Sequence, residues 1–135
     1  MISIPALPSG FSNGLLTDIL QEHGCLPSSG TVSGITQSLI GDGTGMMAEL
    51  AKLSLTYHGD QGAAPPTLIA KFSSQNPTNR EISMSYKLYE REARFFQEIA
   101  PQSATSTPSV YFVGFKGMIA NCHGHVIGDL LFVFW

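Results

Sequence analysis

The segment Gly41-Asp42-Gly43-Thr44-Gly45 puts three glycines into five residues, between two stretches whose character suits strands. Nothing else in the chain restricts its fold as much. The first stretch is Val32–Ile40. The second, Met46–Tyr57, carries Met47, Ala51, Leu53, Leu55 and Tyr57 on one face and Ala48, Leu50, Lys52, Ser54 and Thr56 on the other. Such alternation is the period of a half-buried strand, and two strands around a glycine-rich connector make a hairpin. An antiparallel sheet follows. The connector itself has two readings. Asp42-Gly43 is an ordinary hairpin turn, and glycines also let a backbone approach a phosphate and present its amides to it.

The flanking segments add helices and further strands. Pro5, Pro8 and Gly10 mark an irregular lead-in. A short helix follows, capped by Ser12 or Asn13, with Leu15, Leu16, Ile19 and Leu20 on its apolar face and Gly24 as its stop. His58–Pro66 reads as a loop, and Thr67–Phe72 as a short buried strand whose one charge is Lys71. Thr78–Ala100 is expected to be one long helix. Thr78 and Glu81 fit a capping box, Pro101 ends the pattern, and Ile82, Tyr86, Tyr89, Ala93, Phe96 and Ile99 form an amphipathic stripe. Ser109–Phe115 reads as another strand.

Lys116–Gly128 lacks clear periodicity, and the sequence closes on the apolar run LLFVFW. An apolar strand with no downstream partner invites aggregation, so truncation or alteration is expected here. The fold class predicted is α+β: an antiparallel sheet of about five strands, one long helix and a short N-terminal helix. Residues 1–30 form the lead-in and short helix, 31–115 the main lobe, and 116–135 a divergent or truncated segment.

Composition removes several function classes. The seven Lys and Arg residues are scattered and the formal net charge is -3, so no basic stripe faces a nucleic acid. The opening lacks the charged and apolar regions of a signal peptide. The longest apolar run, Leu130–Trp135, is too short to span a membrane. The two cysteines, Cys25 and Cys122, are far apart and read as reduced thiols of a cytoplasmic protein. Cys122, His123 and His125 cluster in one loop without a second ligand cluster, which is weak support for a metal site; none is assigned.

Two charges stand in apolar company. Lys71 lies within Leu68-Ile69-Ala70-Lys71-Phe72, where its ammonium requires an anionic partner unless the strand is an edge and the side chain reaches water. Glu92 has Leu88, Tyr89, Phe95 and Phe96 as its helical neighbours. It either meets an opposite charge or sits on the shoulder of the stripe. Glu90 differs, with Lys87 and Arg94 beside it in a solvated surface pair. The order is strand, glycine-rich loop, strand, strand with Lys, helix with Glu, strand. That is the kinase arrangement, in which the Lys orients nucleotide phosphates and the Glu holds the Lys.

IGDGTGMMAELAKLSLTY, APPTLIAKF, NPTNREISMSYKLYEREARFFQEIAP and TPSVYF together resemble the N-terminal lobe of the aminoglycoside/choline kinase-like phosphotransferases, in particular their ecdysteroid-kinase-like branch. The resemblance runs from about Val32 to about Phe115. It implies that Lys71 binds ATP phosphates, that Glu92 in Glu92-Ala93-Arg94-Phe95-Phe96 pairs with it, and that Gly41, Asp42, Gly43, Thr44 and Gly45 fold over the nucleotide. It also implies phosphoryl transfer to a hydroxyl of a small molecule.

The departures are equally specific. NCHGHVIGDLLFVFW replaces the family's acidic, Leu-rich approach to the hinge. The catalytic H-G-D-x-x-x-x-N segment and the later metal-binding aspartate are absent, and no Asp follows His123-Gly124-His125 in register. No catalytic residue is therefore assigned, and Mg and the acceptor belong to a lobe outside this sequence. The expectation is a nucleotide-binding lobe that is inactive alone. The alternative is a non-catalytic interaction or regulatory module, or a non-functional truncated product.

Overall fold

The computed structural model describes residue 5 and residues 7–41, 47–120 and 126–134, with backbone alone at residue 8 and over 114–120 and 126–134. The fold is α+β. Ser12 caps the first helix, α1 (Asn13–Glu22), its hydroxyl accepting from the Leu15 amide at 3.1 Å. The helix stops where Gly24 turns left-handed at φ 83°. Its amide donates to the Gln21 carbonyl and that of Cys25 to the Leu20 carbonyl, the double closure that satisfies a helix's last carbonyls.

Five strands follow: β1 (Thr31–Ile40), β2 (Ala48–His58), β3 (Thr67–Ser73), β4 (Val110–Ala120) and β5 (Val126–Phe134). They form one antiparallel sheet in the order β1-β2-β3-β5-β4. Along β2, Ala51, Leu53 and Leu55 are buried while Lys52, Ser54 and Thr56 are exposed. Leu53 stands opposite Leu68 and Ala51 opposite Ala70, so β2 and β3 present one continuous apolar face. Leu16, Ile19 and Leu20 of α1 join it, as does Phe72, whose ring meets Phe11 edge-on at 5.7 Å. Each such side chain stabilises the fold by about 1.5–3 kcal/mol. The main core therefore lies between α1 and the sheet. A smaller cluster, Tyr89 and Ala93 with Met84, Phe96 and Val113, belongs to the later helices and β4.

Those later helices depart from the single long helix predicted over Thr78–Ala100. The segment divides into α2 (Pro77–Ser85), α3 (Leu88–Arg94), a π-helical turn Phe95–Ile99 and a 3-10 turn Ala100–Gln102. The break is at Lys87, which adopts a left-handed φ of 54°. A left-handed residue resets the helical phase, so the predicted stripe does not hold. Tyr89 and Ala93 are buried, while Ile82, Tyr86 and Ile99 are 38%, 68% and 56% exposed, and Ser83 turns inward in their place. The expected Thr78–Glu81 capping box is also replaced. Asn76 is the cap, accepting from the amides of Thr78 and Asn79, with Pro77 in the first turn, where no amide is needed. Arg94 pairs with Glu98 at 3.5 Å, one turn on, rather than with Glu90.

The C-terminal expectation changes too. Residues Val126–Phe134 are not an unpartnered strand. They form β5, which pairs with β3 on one side and β4 on the other. Both neighbours lie upstream in the sequence, so no downstream partner is needed. No helix among the described residues is long and apolar enough to cross a membrane.

Candidate functional site

Lys71 and Glu92 come together. Lys71 stands on β3 between Leu50 of β2 and Phe132 of β5 in register. Strand alternation turns it away from the face on which Leu68, Ala70 and Phe72 meet α1. Glu92 lies on α3, and its Oε1 accepts from the Lys71 ammonium. The side chains keep 24% and 32% of their surface exposed. The ammonium is therefore held by one carboxylate and still reachable from solvent, so it can meet a second anion.

The glycine connector is placed in part. Gly41 directly follows β1 and has a left-handed φ of 70°, a conformation that glycine adopts readily. Asp42, Gly43, Thr44 and Gly45 lie outside the described residues. The segment does join two antiparallel strands, since β1 and β2 are paired up to Ile40 and Leu50.

Tyr89, a member of the stripe that the sequence predicts, does more than fill space. It is 3% exposed. Its hydroxyl donates to the Met47 carbonyl at 2.6 Å and accepts from the Ser74 amide at 3.1 Å. Met47 is the residue before β2, and Ser74 the residue after β3. From α2, the fully buried Ser83 hydroxyl donates to the Met47 sulfur at 3.1 Å. A signal for Tyr89 was present, because a phenol within an apolar stripe requires a partner for its hydroxyl. Which partner depended on the phase break at Lys87, which no spacing rule announces.

Other titratable groups gather near α1. His23 packs against Tyr111 with ring centroids 4.6 Å apart and planes tilted by 48°. Burial, followed by the nearby Cys25 and Tyr111, pushes the Tyr57 phenol up to about 12. Tyr57 donates to the Pro65 carbonyl at 2.5 Å. Burial likewise raises the Cys25 thiol, which makes it a poor nucleophile. This group braces α1 and the loop before β3. Cys122, His123 and His125 lie outside the described residues, and no cluster of potential metal ligands occurs among those described.

The arrangement amounts to a lysine, about a quarter exposed, fixed by a helical carboxylate on a sheet whose first hairpin has a glycine-rich connector. Chemically it can bind and orient an anion. The family model described as ecdysteroid kinase-like matches residues 42–125, more than half of the chain. No curated protein and no solved structure matches it.

Proposed function

Because the chain belongs to the ecdysteroid kinase-like family, we propose that it supplies the nucleotide-binding lobe of an ATP-dependent small-molecule phosphotransferase. The observation that carries this reading is the Lys71–Glu92 pair. In phosphoryl transfer a strand lysine neutralises nucleotide phosphates and a helix glutamate keeps that lysine in place. Lys71 and Glu92 take these roles, and the amides of Gly41–Gly45 close over the phosphates. Residue types in the connector fit this, since glycine leaves the amides uncovered.

The acceptor is a hydroxyl on a small molecule. Its pocket, the base that takes the hydroxyl proton and the carboxylates that hold Mg lie outside the residues named here. After residue 100 the one acidic residue is Asp129, and it does not stand in a His-x-Asp element. The chain alone therefore binds ATP weakly and does not transfer phosphate. A cytoplasmic setting, where ATP is plentiful, belongs to the same proposal.

The test is a titration of the purified chain with Mg-ATP, together with ADP release in the presence of a panel of small alcohols. Saturable binding that Lys71→Ala removes, without turnover, supports the site. Binding indifferent to Lys71→Ala refutes it. Turnover that Lys71→Ala abolishes keeps the site and overturns the inactivity of the lone lobe.

A further inference from the structure

The side of the sheet that carries Lys71 holds a second ammonium. Leu50 stands directly opposite Lys71, and Lys52 directly opposite Ile69. Residues that oppose each other across antiparallel strands share one side of the sheet, and so do residues two apart along a strand. Lys52 therefore lies on the Lys71 side, away from the side on which Ala51, Leu53 and Phe72 join the main core. The two lysines are diagonal neighbours, about 7–8 Å apart at the backbone, a gap that long side chains bridge.

Charge on this side does not balance. Strands β1, β2 and β3 contain one acidic residue, Glu49. It stands opposite Phe72, on the core side, and its carboxylate accepts from the Gln75 amide at 3.1 Å. Glu92 reaches the Lys71 side from α3 and is engaged by Lys71. Lys52 is exposed and has no ion-pair partner among the described residues. Two ammoniums thus share one carboxylate, and they repel each other. An anion with several charged groups along its length can meet both at once. A polyphosphate has that form.

We propose that Lys52 is a second phosphate-binding residue of the nucleotide site, acting with Lys71 on the two ends of one polyphosphate chain. The inference rests on the nucleotide reading above and deepens it. Lys71 is fixed by Glu92 and sets where the chain lies. Lys52, on an exposed arm, adds charge without fixing position. The pair therefore grades ligands by phosphate charge: ATP depends on Lys52 most, AMP less, and adenosine not at all.

The experiment titrates the full chain, Lys52→Met and Lys52→Arg with ATP, AMP and adenosine, followed by nuclear magnetic resonance at low and high salt. An exposed ion pair corresponds to roughly a two- to fivefold loss of ATP affinity in Lys52→Met. That loss should shrink at high salt, where exposed charges are screened. Lys52→Arg, which keeps the charge, should bind ATP as the wild type does. Unchanged ATP affinity in Lys52→Met overturns the proposal. So does an equal loss for adenosine, which a purely structural role would produce, or an equal loss in Lys52→Arg. A wild-type chain that binds no ATP refutes the nucleotide reading itself. Inorganic tripolyphosphate then decides the second cation: binding weakened by both Lys52→Met and Lys71→Met supports it, and binding that is absent or indifferent to Lys52 overturns it.

Discussion

Removing one partner of the Lys71–Glu92 pair tests how much the site contributes to folding before any ligand arrives. The pair is intermediate in burial, with 24% and 32% of the two side chains exposed. Ion pairs at the surface contribute about 0.2–1 kcal/mol, and removing one partner of a buried pair costs about 3–5 kcal/mol. With roughly a quarter to a third of each side chain in water, the interaction falls between these limits, at about 1–2 kcal/mol. The assay is urea unfolding of the wild type, Lys71→Met, Glu92→Gln and the double variant. Each single change strands one charge beside apolar neighbours. The double change strands none. It should therefore cost less than the two single losses combined, by about 1–2 kcal/mol. Additivity within about 0.3 kcal/mol would refute the reasoning, because it would mean that the two charges do not sense each other in solution.

Three other outcomes follow from geometry. Tyr57 keeps its proton up to about pH 12 when folded, whereas an unfolded tyrosine loses it near about 10. Its contribution is complete below pH 10 and is lost as pH rises toward 12. Stability measured over that window should fall less steeply in Tyr57→Phe, and an unchanged slope would contradict the burial. Lys87→Gly should leave stability unchanged or raise it by up to about 1 kcal/mol, since a left-handed φ disfavours lysine. A lowered melting temperature would show that the side chain contributes more than the backbone conformation costs. Gly59→Ala should destabilise by at least about 2 kcal/mol in chemical unfolding. At φ 79° its Cβ would lie 2.2 Å from the Ser29 carbonyl oxygen, so a variant of equal stability would mean that these two chain segments do not approach so closely.

The parts of the fold that local rules govern were readable. Alternation over Ala51–Tyr57 identifies the buried face of β2 because one side of the sheet meets the core and the other meets water. Ser12 and Gly24 mark the ends of α1 because capping and left-handed turns are local chemistry. Lys71 and Glu92 were legible as a pair for a different reason: each charge stood where an unpartnered one is costly. The kink at Lys87 was not legible. Tyr86, Lys87 and Leu88 are all acceptable helix residues, and the break arises where Tyr89 and Ala93 seat against Val113. The place of β5 was equally hidden. Pairing between distant segments depends on which sheet edges remain open, and Val126–Phe134 announces only that it wants to be a strand. The hydroxyl of Tyr89 lay within the pattern, but its two partners follow from the kink and could not be named without it.

The insertion of β5 between β3 and β4 has a consequence for biosynthesis. On the ribosome, β1, β2 and β3 can pair as they emerge, because each partner is the preceding strand. Strand β3 is then left with one bare edge, and its partner there, Val126–Phe134, is translated only after α2, α3 and β4. Loop closure over such a separation is slow compared with hairpin formation. Throughout that interval the nascent chain displays the backbone of Ile69–Phe72 as an open template, the kind of surface that pairs with neighbouring chains. The edge of the strand that carries Lys71 is thus covered only once Val126–Phe134 has been made.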